Sequence, residues 1–308
     1  MNSIDRKEPL LPEGVELKNL LEKLRKLSWG SADILMAYAR SEKPPFGFPQ
    51  VLNVEHSLDG PVSAADLAVN QWLLDGLQSD FPFADWSLVS EETAKGNLIE
   101  EELLNNKWVW ILDPLDGTKD FLKGSGEYAV HLALIHNYQP ILGVVLIPEL
   151  HELWFGVKGI GAWCENRSRE KKSVSFSNRI DLNEMILVAS RSHRDKRLEN
   201  LIQSLKFANQ KSVGSIGCKV GTILRGESDL YLSLSGETAP KHWDLAAPDI
   251  VLRTAGGMFT HADGKPLKYN NLDFSQSGCL LASTGKNHRF LCKKILEKIN
   301  FIDPKFKV

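Results

Sequence analysis

The sequence predicts an α/β fold, α+β in its N-terminal half and α/β in its C-terminal half, on three observations. Tyr128–Ile135, Ile141–Ile147 and Glu152–Val157 are apolar runs separated by tight turns, the pattern of successive antiparallel strands. Beyond about residue 180 strand-like and helix-like segments alternate, which is the pattern of α/β layering. At 308 residues, 43% apolar and 25% charged, the chain has the size and composition of one large or two moderate globular domains. The change of pattern puts a domain boundary near residue 180, giving an α+β unit over 1–180 and an α/β unit over 181–308.

Taken in order, Val15, Leu17, Leu20, Leu21, Leu24 and Leu27, then Ile34, Leu35 and Tyr38, recur at helical spacing. They predict one or two helices over 16–40, with an interruption near Trp29-Gly30. The Pro-, Phe- and Gly-rich stretch Glu42–Gln50 reads as a loop. Ser63-Ala64-Ala65-Asp66 opens an amphipathic run to Leu77, a second helix. Trp86–Ser90 and Trp108–Leu112 are short apolar strands, separated by the polar stretch Thr93–Lys107. In the second half, Ile186–Ala189 is a strand and Asp195–Phe207 a helix. Gly217–Arg225 is a helix leading into the strand Asp229–Leu234. Trp243–Ala255 is a helix, Leu280–Ser283 a strand and Asn287–Ile299 a terminal helix.

Composition narrows the function classes. A formal net charge of −2 gives no electrostatic reason to bind a nucleic-acid polymer. The first ten residues, MNSIDRKEPL, lack an apolar signal core, and no run approaches the roughly 20 apolar residues of a membrane span. A cytoplasmic protein is expected. The four cysteines, Cys164, Cys218, Cys279 and Cys292, have neither zinc spacing nor a Cys-x-x-Cys pair, and read as reduced, buried thiols.

The most informative stretch is Asp113-Pro114-Leu115-Asp116-Gly117-Thr118, directly after the apolar run Trp108–Leu112. A residue before proline is biased to extended geometry, and Asp-Gly turns the chain sharply. Both carboxylates and the Leu115 carbonyl can then face one pocket, an all-oxygen set suited to Mg²⁺ rather than to zinc. Three other stretches add acids. Glu91 and Glu92 follow a strand, either as solvated loop acids or as part of the site. Asp66 fits a capping box with Ser63, so it either caps its helix or faces the pocket. Asp244, in His242-Trp243-Asp244, either complements a helix dipole or joins the others.

Glu91-Glu92, the Asp113–Thr118 run, Trp243-Asp244-x-Ala246-Ala247 and Ala255-Gly256-Gly257 together resemble the inositol monophosphatase superfamily, in its motif order, over roughly residues 16–300. The resemblance implies a layered αβαβα sandwich and a magnesium-dependent, lithium-sensitive phosphomonoesterase. It implies that Glu91, Asp113 and the Leu115 carbonyl hold one Mg²⁺, that Asp113, Asp116 and Asp244 hold a second, and that Glu91 helps place a third. Thr118 and Asp66 would orient and deprotonate the attacking water. The amides of Gly117 and Thr118 would donate to the phosphate.

Within that superfamily, Val188-Ala189-Ser190-Arg191-Ser192-His193-Arg194-Asp195 resembles the Ser-Arg-Ser-His-Arg-Asp signature of bacterial 3′(2′),5′-bisphosphate nucleotidases, which are tied to sulfate assimilation. Val213-Gly214-Ser215-Ile216-Gly217-Cys218-Lys219 and Lys241-His242-Trp243-Asp244 are similar to the same subgroup. The implied substrate is adenosine 3′,5′-bisphosphate, with 3′-phosphoadenosine 5′-phosphosulfate as a relative. Lys219 and Ser215 would face the 5′-phosphate and His193 the adenine. Lys219 could equally be a solvated helix residue, and Ser190–Asp195 a surface loop. The chain departs from some nucleotidases in having Leu232-Ser233-Leu234 where they carry an arginine. An inositol- or sugar-phosphate phosphatase (fructose 1,6-bisphosphate, for example) is the alternative enzyme. A non-catalytic phosphate-binding protein would need a broken set of acids. Monomer and homodimer both stay open.

Overall fold

The structure, a computed structural model, describes residues 8–57, 60–94, 106–192, 194–235, 238–271 and 273–306. Helix α1 (Leu17–Ala39) is followed by a hairpin, β1 (Val54–Ser57) and β2 (Gly60–Ser63), and by α2 (Ala64–Asp80). The break expected near Trp29-Gly30 does not occur. Gly30 lies inside α1 because the ring of Trp72 lies against it: a Cβ there would sit 2.5 Å from Trp72 Cζ2. The glycine serves close helix packing rather than a turn.

A seven-stranded sheet follows. Its strands run in sequence order: β3 (Ser87–Ser90), β4 (Trp108–Asp116), β5 (Ala129–His136), β6 (Gln139–Ile147), β7 (Glu152–Val157), β8 (Gly161–Glu165) and β9 (Lys171–Lys172). Only β3 and β4 are parallel; the others pair antiparallel, as the tight turns between them require. Two short helices, α3 (Glu91–Ala94) and α4 (Thr118–Leu122), extend the ends of β3 and β4.

The second sheet comprises β10 (Ile186–Ser190), β11 (Asn209–Val213), β12 (Leu230–Leu234), β13 (Met258–His261) and β14 (Cys279–Ser283), in the order β11-β10-β12-β14-β13. Interleaved with them are α5 (Lys196–Leu205), α6 (Ile216–Leu224), α7 (His242–Thr254) and α8 (His288–Ile302). The expected helices fall within a few residues of these. Strand β11 was not legible because it is an edge strand of polar residues, Asn-Gln-Lys-Ser-Val, which discourages further pairing.

Three apolar clusters fix the layer order. One joins α1 and α2 to one face of the seven-stranded sheet through Leu20, Leu24, Leu73, Trp110 and Leu132. The next places α6 and α7 between that sheet and the five-stranded one, through Ile111, Val145, Val220, Ala247 and Val251. The third packs α5 and α8 on the outer face of the five-stranded sheet, through Leu198, Leu201, Leu281 and Ile295. This is the αβαβα sandwich that the resemblance implied. All four cysteines are buried and free. Among the described residues, no helix is long and apolar enough to cross a membrane.

Candidate active site

The site begins with a flaw in a strand. Within β4 the pairing shifts between Asp113, opposite His131, and Asp116, opposite Ala129. Three residues apart, the two aspartates would face opposite sides of a regular strand. The partners are only two apart, so one extra residue is absorbed as a bulge at Pro114-Leu115, where proline has no N–H to pair. Both carboxylates therefore point towards the α6–α7 layer, while Leu115 turns into the α1–α2 cluster. Gly117 then takes a φ of 94°, which favours glycine, and starts α4 at Thr118.

Two more acids arrive on helix starts. Asp66 is the third residue of α2, and Asp244 the third of α7. Asp66 caps its helix and also reaches Thr118. Oδ2 accepts from Ser63 N at 2.7 Å and Ser63 Oγ at 2.6 Å, completing the capping box, while Oδ1 accepts from Thr118 Oγ1 at 3.0 Å. Asp244 repeats the device, with Oδ2 capping the Lys241 amide at 2.6 Å. Asp113, Asp116 and Asp244 offer carboxylate oxygens that all lie within 4.8 Å of one another.

Each carboxylate has one oxygen committed to protein donors. Asp113 Oδ1 accepts from Leu115 N at 3.0 Å, and Asp116 Oδ2 from Ser215 Oγ at 2.5 Å and Gly217 N at 2.9 Å. Asp113 Oδ2 is buried without a hydrogen-bond partner. Burial pushes the Asp113 carboxyl well above its ordinary range, and Glu91, Asp116 and Asp244 push it further. Burial and then Asp116 raise Asp244 in the same way. Asp66 is pushed up to about 6, chiefly by burial. Like charges in so dry a place need a cation, and an orphaned carboxylate oxygen within an all-oxygen set fits a hard divalent metal.

The remaining candidates are distributed as follows. Glu91 opens α3 and acts on Asp113 electrostatically; Glu92 acts on Asp66. Ser215 is the N-cap of α6, accepting from Cys218 N at 3.1 Å, and its single hydroxyl hydrogen lies on Asp116 rather than towards a substrate. Lys219 is not a solvated helix residue. It is buried, with its ammonium 2.6 Å from the Gly214 carbonyl and 5.6 Å from the centroid of the Tyr231 ring. Burial lowers its pKa, and Asp116 and Asp244 oppose that. His193 lies outside the described residues.

Two participants went unread in the sequence. His131 is buried in β5, its Nε2 3.4 Å from Asp116 Oδ2 and its Nδ1 3.3 Å from the Trp243 carbonyl. Burial pulls its pKa down, and the signal for it was a histidine in the middle of the apolar run of β5. Ser63, the holder of Asp66, was visible only as a cap.

Comparison with known proteins gives three concordant findings. The model of the inositol monophosphatase family matches residues 17–300. The chain is 32% identical over 251 residues to the 3′(2′),5′-bisphosphate nucleotidase CysQ of Escherichia coli K12, covering 81% of this chain and 94% of that one. It is 31% identical over 267 residues to the CysQ of Buchnera aphidicola, covering 85% and 92%. Among solved structures, the Thermotoga maritima IMPase superposes with a TM-score of 0.72 at 24% identity, over 92% of this chain and 99% of that one. A staphylococcal IMPase complexed with products gives 0.70 at 20% identity, over 91% and 96%.

Proposed function

Because the chain belongs to the inositol monophosphatase family of metal-dependent phosphatases, we propose that it hydrolyses the 3′-phosphate of adenosine 3′,5′-bisphosphate to AMP and phosphate, with Mg²⁺ as cofactor. The observation that carries the chemistry is the 3.0 Å contact of Thr118 Oγ1 with Asp66 Oδ1 beside three converging carboxylates, of which Asp113 and Asp116 are buried and Asp244 half-buried. Glu91, Asp113 and the Leu115 carbonyl would hold one Mg²⁺, Asp113, Asp116 and Asp244 a second, and Glu91 would help place a third. Bound there, the cations neutralise the phosphate dianion and the leaving oxygen, and make water more acidic.

The protein's own groups do the positioning. Thr118 Oγ1 accepts a hydrogen bond from the attacking water while its own hydrogen lies on Asp66. Asp66 receives the proton; with its pKa pushed up to about 6 it is ionised at neutral pH yet basic enough for the task. Gly117 lets the main chain approach the phosphate, and the amides of Gly117 and Thr118 donate to its oxygens. A bond forms from the water oxygen to phosphorus as the bond to the ribose 3′ oxygen breaks, in line and without a phospho-enzyme.

The choice of substrate rests on the relatives named as 3′(2′),5′-bisphosphate nucleotidases and on the likeness of Ser190–Asp195 and Gly214–Lys219 to that subgroup. Lys219 would contribute positive charge from beneath the site, and His193 would meet the adenine. Turnover of the Asp116→Asn variant tests the metal chemistry. A loss of about a hundredfold or more in kcat with the fold retained is expected; wild-type turnover would refute it.

A further inference from the structure

Arg191 lies just past the end of β10, outside the carboxylate cluster, yet it is linked to that cluster through every contact its guanidinium makes. Nη1 pairs with the carboxylate of Asp120 on α4. Nη2 donates to Glu127 Oε2 at 2.6 Å and to the Ser212 carbonyl at 3.2 Å. The same Glu127 oxygen accepts from Gly214 N at 2.8 Å. Gly214 itself is pressed against Asp120 so closely that a Cβ there would sit 2.2 Å from Asp120 Oδ2. The end of β11 and the turn into α6 are thus held through the carbonyl of Ser212 and the amide of Gly214, with Asp120 packed where a side chain on Gly214 would lie.

The next residues along that turn are the two that hold Asp116. Ser215 Oγ and Gly217 N both donate to Asp116 Oδ2. The turn also touches the main chain after Asp116: a Cβ on Gly117 would lie 3.0 Å from the Glu127 carbonyl and 3.3 Å from Ser215 Cβ. Asp120 is buried and Glu127 is its neighbour across the guanidinium, so removing the cation leaves two acids to repel one another. Glu127 then moves off the Gly214 amide, and the turn that presents Ser215 and Gly217 loses its anchor.

We propose that Arg191 is a positioning residue for Asp116, holding the Ser212–Ser215 turn so that one oxygen of that carboxylate is fixed and the other is aimed at the metal. The proposal rests on the reading of Asp116 as a metal ligand. It also gives the arginine of the Ser190–Asp195 segment a task at the metal site rather than on the substrate.

The test is Mg²⁺ binding measured by titration calorimetry without substrate, together with melting temperature, on wild type, Arg191→Gln, Arg191→Lys, Glu127→Gln and Asp116→Asn. Arg25→Lys is the control. That arginine also bridges two acids, Glu22 on α1 and Glu165 on β8. The expected result is about a tenfold weaker Mg²⁺ affinity in Arg191→Gln, the lower end of what removing a ligand's supporting partner does, with unchanged affinity in Arg25→Lys. Arg191→Gln combined with Ser215→Ala should weaken binding by less than the sum of the two single losses, because both act on the same oxygen of Asp116. Wild-type affinity in Arg191→Gln, or additive losses in the double variant, would overturn the proposal. Should Arg191→Gln not fold, Arg191→Lys and Glu127→Gln give the same readout. If Asp116→Asn also binds Mg²⁺ like wild type, the failure lies in the metal-site reading and the inference falls with it.

Discussion

Replacing Asp66 by asparagine separates its two tasks. In the wild type Oδ2 caps α2 through Ser63, and Oδ1 faces Thr118. The amide oxygen of Asp66→Asn can take over the cap. Its NH₂ would then meet Thr118 Oγ1, whose hydrogen can turn to the Leu115 carbonyl, 3.1 Å away. The network survives with one bond reversed; what disappears is the carboxylate proposed to take the proton. Keeping a carboxylate ionised when its pKa is pushed up to about 6 costs the folded state about 3 kcal/mol at pH 8. That net cost already includes the hydrogen bonds to the carboxylate, and asparagine escapes it while keeping the contacts as neutral bonds, so the melting temperature at pH 8 should not fall below wild type. Turnover should not stay. Loss of a general base removes about 10²–10⁴ in kcat, or about 3–5 kcal/mol of barrier lowering. Phosphate release at saturating Mg²⁺ with parallel calorimetric melting is the assay. More than a tenth of wild-type kcat in a folded Asp66→Asn protein would refute the reasoning.

Two further outcomes follow from the packing and the charges. Asp66, Asp113 and Asp244 all have raised pKa values in the folded protein, so with chelator the native state holds protons that the unfolded chain releases above about pH 4. Their contribution to stability therefore falls as pH rises through that window. Buried His242 and His288, held down to about 4, act in the opposite sense but equally with and without the cation. The gain in melting temperature from Mg²⁺ over chelator should thus be larger at pH 8 than at pH 5.5, and an equal gain at both would contradict the cluster's role. Gly143→Ala would bring a Cβ to 2.3 Å from Ile250 Cγ2 and 3.0 Å from the Ala247 carbonyl, between β6 and α7. Overpacking of about 1–3 kcal/mol should lower the melting point by several degrees while leaving Mg²⁺ affinity alone; an unshifted melting point would show that the layer yields.

Much of this was legible in the chain because the informative signals are local. Apolar runs separated by tight turns gave β5, β6 and β7, and the Asp-Pro and Asp-Gly pairs marked the bend where two carboxylates could face one pocket. The bulge that puts them there was not legible, since it depends on the register of β4 against β5. Nor could the sequence show that Asp66 both caps its helix and reaches Thr118, because a capping box is local whereas that contact spans 52 positions. That the Ser215 hydroxyl donates to Asp116, 99 positions away, was likewise beyond a local reading. Lys219 read either as a point charge for the 5′-phosphate or as a solvated helix residue; its burial against Tyr231, which rules out the second, is a tertiary fact. Gly30 suggested a break and turned out to make room for Trp72.

The central claim is tested most directly by phosphate release from adenosine 3′,5′-bisphosphate, inositol 1-phosphate and fructose 1,6-bisphosphate, each with Mg²⁺ and with chelator. The account predicts release that needs Mg²⁺ and a strong preference in kcat/KM for the nucleotide. Preference for either other compound would contradict the substrate assignment while leaving the carboxylate site standing, and release undiminished by chelator would contradict the metal chemistry itself.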